Sequence, residues 1–293
     1  LTTINASTIE DQEDLNLRAK SASFIGTLQA SYTDFHYLRK EWEEITAEES
    51  LIGVSMTGIA SGKVDNLSLI EASNVVKEEN EKVANLIGIN PASRTTAIKP
   101  EGTASLLLGT SSGIHAWHND YYTRRIRVGK NEAIYSYLSL VHPELVEDEY
   151  FRPETMAVIS IPQKAPEGAK LRTESALETL ARVNRFNKEW VANGHREGKN
   201  KNNVSCTISI KPDEWEGIGD WMWENRENFT AISVLPYSNH SYIQAPFEDI
   251  TKEVYEEKVK LLQEIDLTQV IEETDETDLQ GEAACSGGNC EVI

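Results

Sequence analysis

Apolar positions along this chain recur with two different periods. Short runs rich in β-branched residues, LTTIN (1–5) and LIGVSMTGI (51–59), read as buried strands. Between them a helical region runs from about Gln12 to Glu48, with a break near Thr33-Asp34. LSLIEASNVVKEENEKVANLIG (67–88) places apolar residues three and four positions apart, the spacing of an amphipathic helix. RTTAIK (94–99) is β-branched and stops at Pro100, which has no amide to donate to a ladder. TRRIRV (123–128), MAVISI (156–161), NVSCTISI (203–210) and FTAISVL (229–235) are further strands by the same pattern. Thr173 is placed to cap a helix whose apolar stripe includes Leu177, Leu180, Val183 and Trp190 and which ends at Asn193-Gly194. Strands separated by helices predict an α/β fold, either a barrel or a doubly wound sheet.

Composition narrows the function. The net charge of −20 excludes binding along a nucleic-acid backbone, which needs a basic surface, but leaves room for a small anion in a local pocket. No run approaches the roughly 18–20 apolar residues that span a bilayer, so no membrane partner is expected. LTTINASTIEDQ at the amino terminus lacks the basic region and apolar core of a signal peptide. It does not begin with Met, and the expectation is a fragment or a processed product. With 3 cysteines and no secretory signal, the chain is expected in the reducing cytoplasm, where a cysteine pair is more often redox-active than structural. After Lys260 the charge turns one-sided: Glu264, Asp266, Glu272, Glu273, Asp275, Glu276, Asp278 and Glu282 have no Lys or Arg among them. Residues 263–293 therefore read as a mobile acidic tail.

Three stretches carry candidate chemistry. In TTAIKPEGTASLLLG (95–109) a strand ends at Pro100, Gly102 permits a tight turn, and Thr103 or Ser105 opens a helix. The amides of a first helical turn suit a phosphate, and Gly102 and Ala104 leave room for one. The same spacing also fits a plain strand–turn–helix link, and no Gly-Lys-Ser/Thr follows, so it is not a Walker loop. In SGIHAWHNDYYTRRIRV (112–128) His115 and His118 are three apart, but Gly113 and Asn119-Asp120 read as a loop and no Cys or further His is near. No metal site is expected there. Arg124, Arg125 and Arg127 form a basic spot expected to pair with local carboxylates. The third stretch is ACSGGNCEVI (284–293). Gly287-Gly288 lets Cys285 and Cys290 close and reopen a small disulfide ring, while two thiols fall short of tetrahedral zinc. Glu282 and Glu291 raise the thiol pKa values, which fits an electron shuttle served by a dedicated reductase; an accidental pair in a disordered tail is the alternative. Cys206, inside a strand pattern, reads as a small core residue.

PEGTAS after a β-branched strand, then SSGIHAWHNDYYTRRIRV, NNVSCTISI and a terminal CSGGNC follow one another here as they do in ribonucleotide reductases. The chain resembles in particular the monomeric adenosylcobalamin-dependent type that reduces ribonucleoside triphosphates, over nearly its whole length. The resemblance implies the second half of a ten-stranded α/β barrel over residues 1–262, followed by the mobile tail 263–293. It implies that Glu101, Gly102, Thr103, Ala104 and Ser105 bind substrate phosphates. It implies that Cys285 and Cys290 swing into the barrel to re-reduce an active-site disulfide and are themselves reduced by a thioredoxin-like partner. Adenosylcobalamin follows from two absences. The adjacent relay tyrosines of iron-partnered reductases are missing, since Tyr237, Tyr242 and Tyr255 stand alone and Tyr121-Tyr122 lies too early; so is the four-cysteine zinc site of the glycyl-radical type. The family's radical cysteine, catalytic glutamate and effector region lie upstream of the point matching Leu1, so an N-terminal reductase half is an implied partner. A diphosphate-using large-subunit fragment and a non-catalytic nucleotide-binding fragment are the rival readings.

Overall fold

The computed structural model describes residues 1–238, 242–272 and 274. In chain order the elements used below are β1 (Thr2–Asn5), α1 (Gln12–Ala30), α2 (Lys40–Glu49), β2 (Val54–Thr57), α3 (Leu69–Ile87), α4 (Gly102–Leu107), β3 (Tyr121–Gly129), α5 (Ala133–Val141), β4 (Val146–Asp148), β5 (Met156–Lys164), α6 (Ala176–Phe186), β6 (Ser205–Ile210), α7 (Trp215–Glu224), β7 (Ala231–Pro236), β8 (Phe247–Asp249) and α8 (Lys252–Leu261). They fall into two compact units, one of Leu1–Ala116 with Gly168–Ser238, the other of Trp117–Glu167 with the described residues after Ser238. The body read from the sequence as residues 1–262 is thus subdivided.

The first unit is built on parallel strands. β1 pairs with β2, Thr2 opposite Val54 and Asn5 opposite Thr57. Residues 94–98 join the other side of β2 through a parallel bridge between Val54 and Thr96, with Val54 N–H on Thr95 O at 2.9 Å and Ala97 N–H on Val54 O at 3.0 Å. A second parallel bridge links Ile98 to Val204, and β6 then pairs in parallel with β7. All residues of β2 are buried, as expected of a parallel strand covered on both faces. α1 packs on β2 and along α3, and both helices bury small residues: Ala19, Ala22, Ser23 and Gly26 on α1, Ala72 and Ser73 on α3. The seam is stitched by the Ser23 hydroxyl, which donates to Val76 O at 2.8 Å.

The predicted helix after Thr173 needs a correction. Its cap is Ser175, in a reciprocal capping box with Glu178, and Leu177 is 45% exposed, so the buried stripe runs Ala176, Leu180, Val183, Phe186, Trp190. Trp190 is fully buried and its indole N–H reaches Val54 O at 3.1 Å and Ala97 O at 3.3 Å, tying the turn after α6 to the strands.

The second unit is antiparallel, in the order β4-β5-β3-β8, with Tyr121 opposite Lys164 and Gly129 opposite Met156. Its core holds Val128, Tyr137, Leu138, Leu145, Ala157 and Ile159. Leu262 and Val270 pack against this core, and Asp266 N–H donates to the Tyr137 hydroxyl at 3.2 Å. Between these contacts residues 263–269 are exposed. No helix among the described residues is long and apolar enough to cross a membrane.

Candidate functional site

The chain leaves the parallel strands at Ile98 and turns at Pro100, at the carboxyl ends of β1, β2 and residues 94–98, the end of a strand where ligands of α/β folds bind. Glu101 takes the left-handed region, φ 58° and ψ 44°, which is uncommon outside glycine and marks a held turn. α4 follows at once. Its first bond is Ser105 N–H to Glu101 O at 2.9 Å, so the amides of Thr103 and Ala104 precede the intrahelical ladder. Ser105 is buried and its hydroxyl donates to Gly102 O at 2.9 Å, which closes the turn from below, whereas Thr103 is exposed. The five residues picked from the sequence thus form one turn, with backbone amides as its chemistry.

A returning strap, residues 108–115, holds this turn in place. Thr110 N–H bonds Ser105 O at 2.9 Å, and the Ser112 hydroxyl donates to Pro100 O. Gly113 has φ 53°, and a Cβ there would overlap Lys99 O, so the close approach of strap and strand requires glycine. β2 supplies the hydroxyls: Thr57 Oγ1 donates to Ser111 O at 2.9 Å and accepts from Gly113 N–H at 2.9 Å, and Ser55 Oγ accepts from Lys99 N–H at 3.1 Å.

Behind the strap lie titratable groups that are largely shielded from solvent, with Cys206 buried. His115 Nε2 accepts from Thr207 N–H at 3.0 Å, and Nδ1 stands 3.0 Å from Ser112 O. An amide can only donate and a carbonyl can only accept, so the ring is neutral with its proton on Nδ1. Burial pushes its pKa below the ordinary imidazole value, and the nearby Arg182 guanidinium adds to this against the Ser112 carbonyl and Glu174. Arg182 and Glu174 form a two-pronged pair, Nη1–Oε2 2.8 Å and Nη2–Oε1 2.5 Å, while Arg182 Nε donates to Ile114 O at 3.2 Å. Burial works against the charge of Arg182, but the bonds and charge of Glu174 outweigh it and raise its pKa. Cys206 is pushed up to about 12 by burial, so its thiol is inert at neutral pH, in keeping with a core residue.

The two histidines of the GIHAWH stretch serve different ends. His118 Nε2 lies 3.0 Å from Asp249 Oδ1 and its ring stacks on Phe247, in the second unit. No group of three or more metal-ligating side chains is present among the described residues. Arg125 pairs with Glu147 at 3.3 Å and with Glu248, and Arg127 with Glu149 at 3.6 Å, as expected of the basic spot. Arg124 departs from that pattern, lying 4.3 Å over the Phe247 ring and donating to Pro246 O at 3.2 Å. Cys285 and Cys290 lie outside the described residues. Thr57, Ser112, Glu174 and Arg182 were not singled out by the sequence reading, because no short motif marks them.

No family model matches the chain. It is 28% identical to the adenosylcobalamin-dependent ribonucleoside-triphosphate reductase of Lactobacillus acidophilus over 240 residues, 78% of this chain and 30% of that protein. The protein so named from Euglena gracilis is 29% identical over 238 residues, 77% of this chain and 31% of its own. That of Levilactobacillus brevis is 30% identical over 189 residues, 63% of this chain and 24% of its own. The crystal structure of a B12-dependent, class II ribonucleotide reductase matches with a TM-score of 0.69 and 23% identity, covering 87% of this chain and 38% of that one, a likeness of fold. The chain spans about 30% of the length of the relatives it matches.

Proposed function

We propose that this chain, homologous to a segment of the adenosylcobalamin-dependent class II ribonucleotide reductases, acts as the C-terminal part of such an enzyme and helps reduce ribonucleoside triphosphates to 2′-deoxyribonucleotides by a thiyl-radical route. The observation that carries the reading is the turn from Pro100 to Ser105, set at the carboxyl ends of β1, β2 and residues 94–98 with the amides of Thr103 and Ala104 ahead of the ladder. β1 and β7, the outer strands of the parallel set, each have a strand neighbour on one side only among the described residues. That fits the second half of a ten-stranded barrel that a separate N-terminal half completes.

In this reading Glu101, Gly102, Thr103, Ala104 and Ser105 hold the triphosphate through the backbone, which orients the ribose and keeps water away. Replacing the 2′-hydroxyl by hydrogen releases water and takes two electrons from two barrel thiols, which become a disulfide. One thiolate of the pair Cys285 and Cys290 then attacks that disulfide, and the other resolves the mixed disulfide. The barrel thiols are regenerated and the tail pair is left oxidised for a thioredoxin-like dithiol to reduce. When bound, adenosylcobalamin supplies the radical that starts the reaction. Near the turn neither His115, which spends both ring nitrogens, nor the buried, neutral Cys206 thiol is a donor to it. We assign contacts to the corrin to the rest of the enzyme, which we place in the cytoplasm.

Co-expression with the upstream reductase segment should give adenosylcobalamin-dependent deoxynucleotide formation. In that enzyme Gly102→Val and Thr103→Glu should raise the KM for the triphosphate by about 10–100-fold, the worth of one or two charge-assisted hydrogen bonds. Cobalamin affinity should stay as it is. Unchanged nucleotide affinity in both variants removes the phosphate role of the turn. Preference for diphosphates, or binding without turnover, would favour the rival readings.

A further inference from the structure

We propose that His115 is the positioning residue of the phosphate turn: its imidazole ties the strap at Ser112 to β6 and so sets where Pro100–Ser105 stands. The inference rests on the reading of that turn as a phosphate seat, and its own argument is geometric. A single path of hydrogen bonds runs from β6 to the turn through the ring: Thr207 N–H to Nε2 at 3.0 Å, Nδ1–H to Ser112 O at 3.0 Å, and the Ser112 hydroxyl to Pro100 O. The link to Thr207 spans 92 residues, so without the ring the Thr207 N–H loses this acceptor and Ser112 O keeps only the His115 backbone N–H, at 2.9 Å, which does not reach β6.

The ring holds this place only when neutral. A proton on Nε2 would point at the Thr207 N–H, donor against donor, and break the link to β6. The charged and titratable groups around it are Arg182 of α6, which opposes that proton, Glu174 just before α6, which favours it, and the uncharged Cys206 thiol of β6. Burial, the largest influence, also opposes it. Since the folded ring holds its proton less tightly than the unfolded one, its contribution is complete above the ordinary value of 6.5 and is lost as pH falls below it toward the lowered value. The seat should then loosen in acid before the chain unfolds.

The test uses His115→Leu, which keeps volume and removes both bonds, and His115→Gln, whose amide can give and take the same two bonds without titrating. Amide hydrogen exchange on the full chain should be at least tenfold faster in residues 105–113 of the Leu variant and unchanged in α3. The Gln variant should match the original. In the assembled enzyme the triphosphate KM should rise about tenfold for Leu with kcat kept, and should climb in acid for the original chain but not for Gln. Equal exchange in all three chains, or loss of protection throughout α3 in the Leu variant, would overturn the inference. If the exchange pattern is as expected but the assembled enzyme binds no triphosphate, the brace stands and the phosphate reading of the turn falls.

Discussion

Replacing Cys285 or Cys290 by serine is expected to stop thioredoxin-driven multiple turnover in the assembled enzyme while leaving about one turnover per enzyme, drawn from barrel thiols already reduced. The loss should be complete, because a single remaining tail thiol can form a mixed disulfide but cannot resolve it. A small dithiol that enters the barrel directly should restore turnover, since exchange needs only an accessible thiolate. In the proposed reading the arm begins later than residue 263. Leu262 and Val270 pack on the second unit and Asp266 is bonded to Tyr137, so the reach of the pair is counted from Val270 rather than from residue 263. Shortening the stretch 271–284 should slow multiple turnover and spare the first one. Full thioredoxin-driven turnover in the double serine variant would mean that the pair has no such role.

The largest loss of stability is expected from Arg182→Met. Side chains of Arg182 and Glu174 are only 10% and 11% exposed, and each prong of the guanidinium is matched to a carboxylate oxygen. Removing one partner strands the other charge in the interior, which costs about 3–5 kcal/mol. For a chain of this size that is a fall in Tm of roughly 10 °C. The same change cuts the bond to Ile114 O, next to His115, so strap and core should loosen together. Arg182→Met combined with Glu174→Leu should recover much of the loss, because two matched apolar groups leave no orphan charge. Calorimetry on the two single variants and the double one gives the answer. If Arg182→Met melts within about 1 °C of the original, the pair contributes nothing and its burial needs another account.

Much of the architecture was legible in local pattern. α3 follows the three-and-four spacing of its apolar residues, capped by Ser68 and ended at Gly88. The break near Thr33-Asp34 falls between α1 and α2, and the paired runs at 123–128 and 156–161 became β3 and β5. The cap of α6 was legible too, since Ser175 and Glu178 have capping-box spacing, but Thr173 drew the assignment two residues early. α5, α7 and α8 escaped notice. AIYSYLSLV and WEGIGDWMWE mix aromatic, β-branched and glycine residues that weaken a helical reading, and KEVYEEKVKL buries none of its residues.

The sequence by itself determined most of the strands, the helices with a clear apolar period, where the charge lies, and that a short turn runs from Pro100 to Ser105. All of these depend on neighbours within a few residues. Only the tertiary structure decided what those segments do to each other. Trp190 reaches Val54 across 136 residues, His115 meets Thr207 across 92, and the Ser112 hydroxyl closes on Pro100 across 12. The tautomer of His115, the neutrality of Cys206 and the matching of Arg182 to Glu174 follow from those meetings, because burial sets the cost of a charge and only the facing group can repay it. Periodicity records which face a residue turns inward; it carries no record of what will be waiting there.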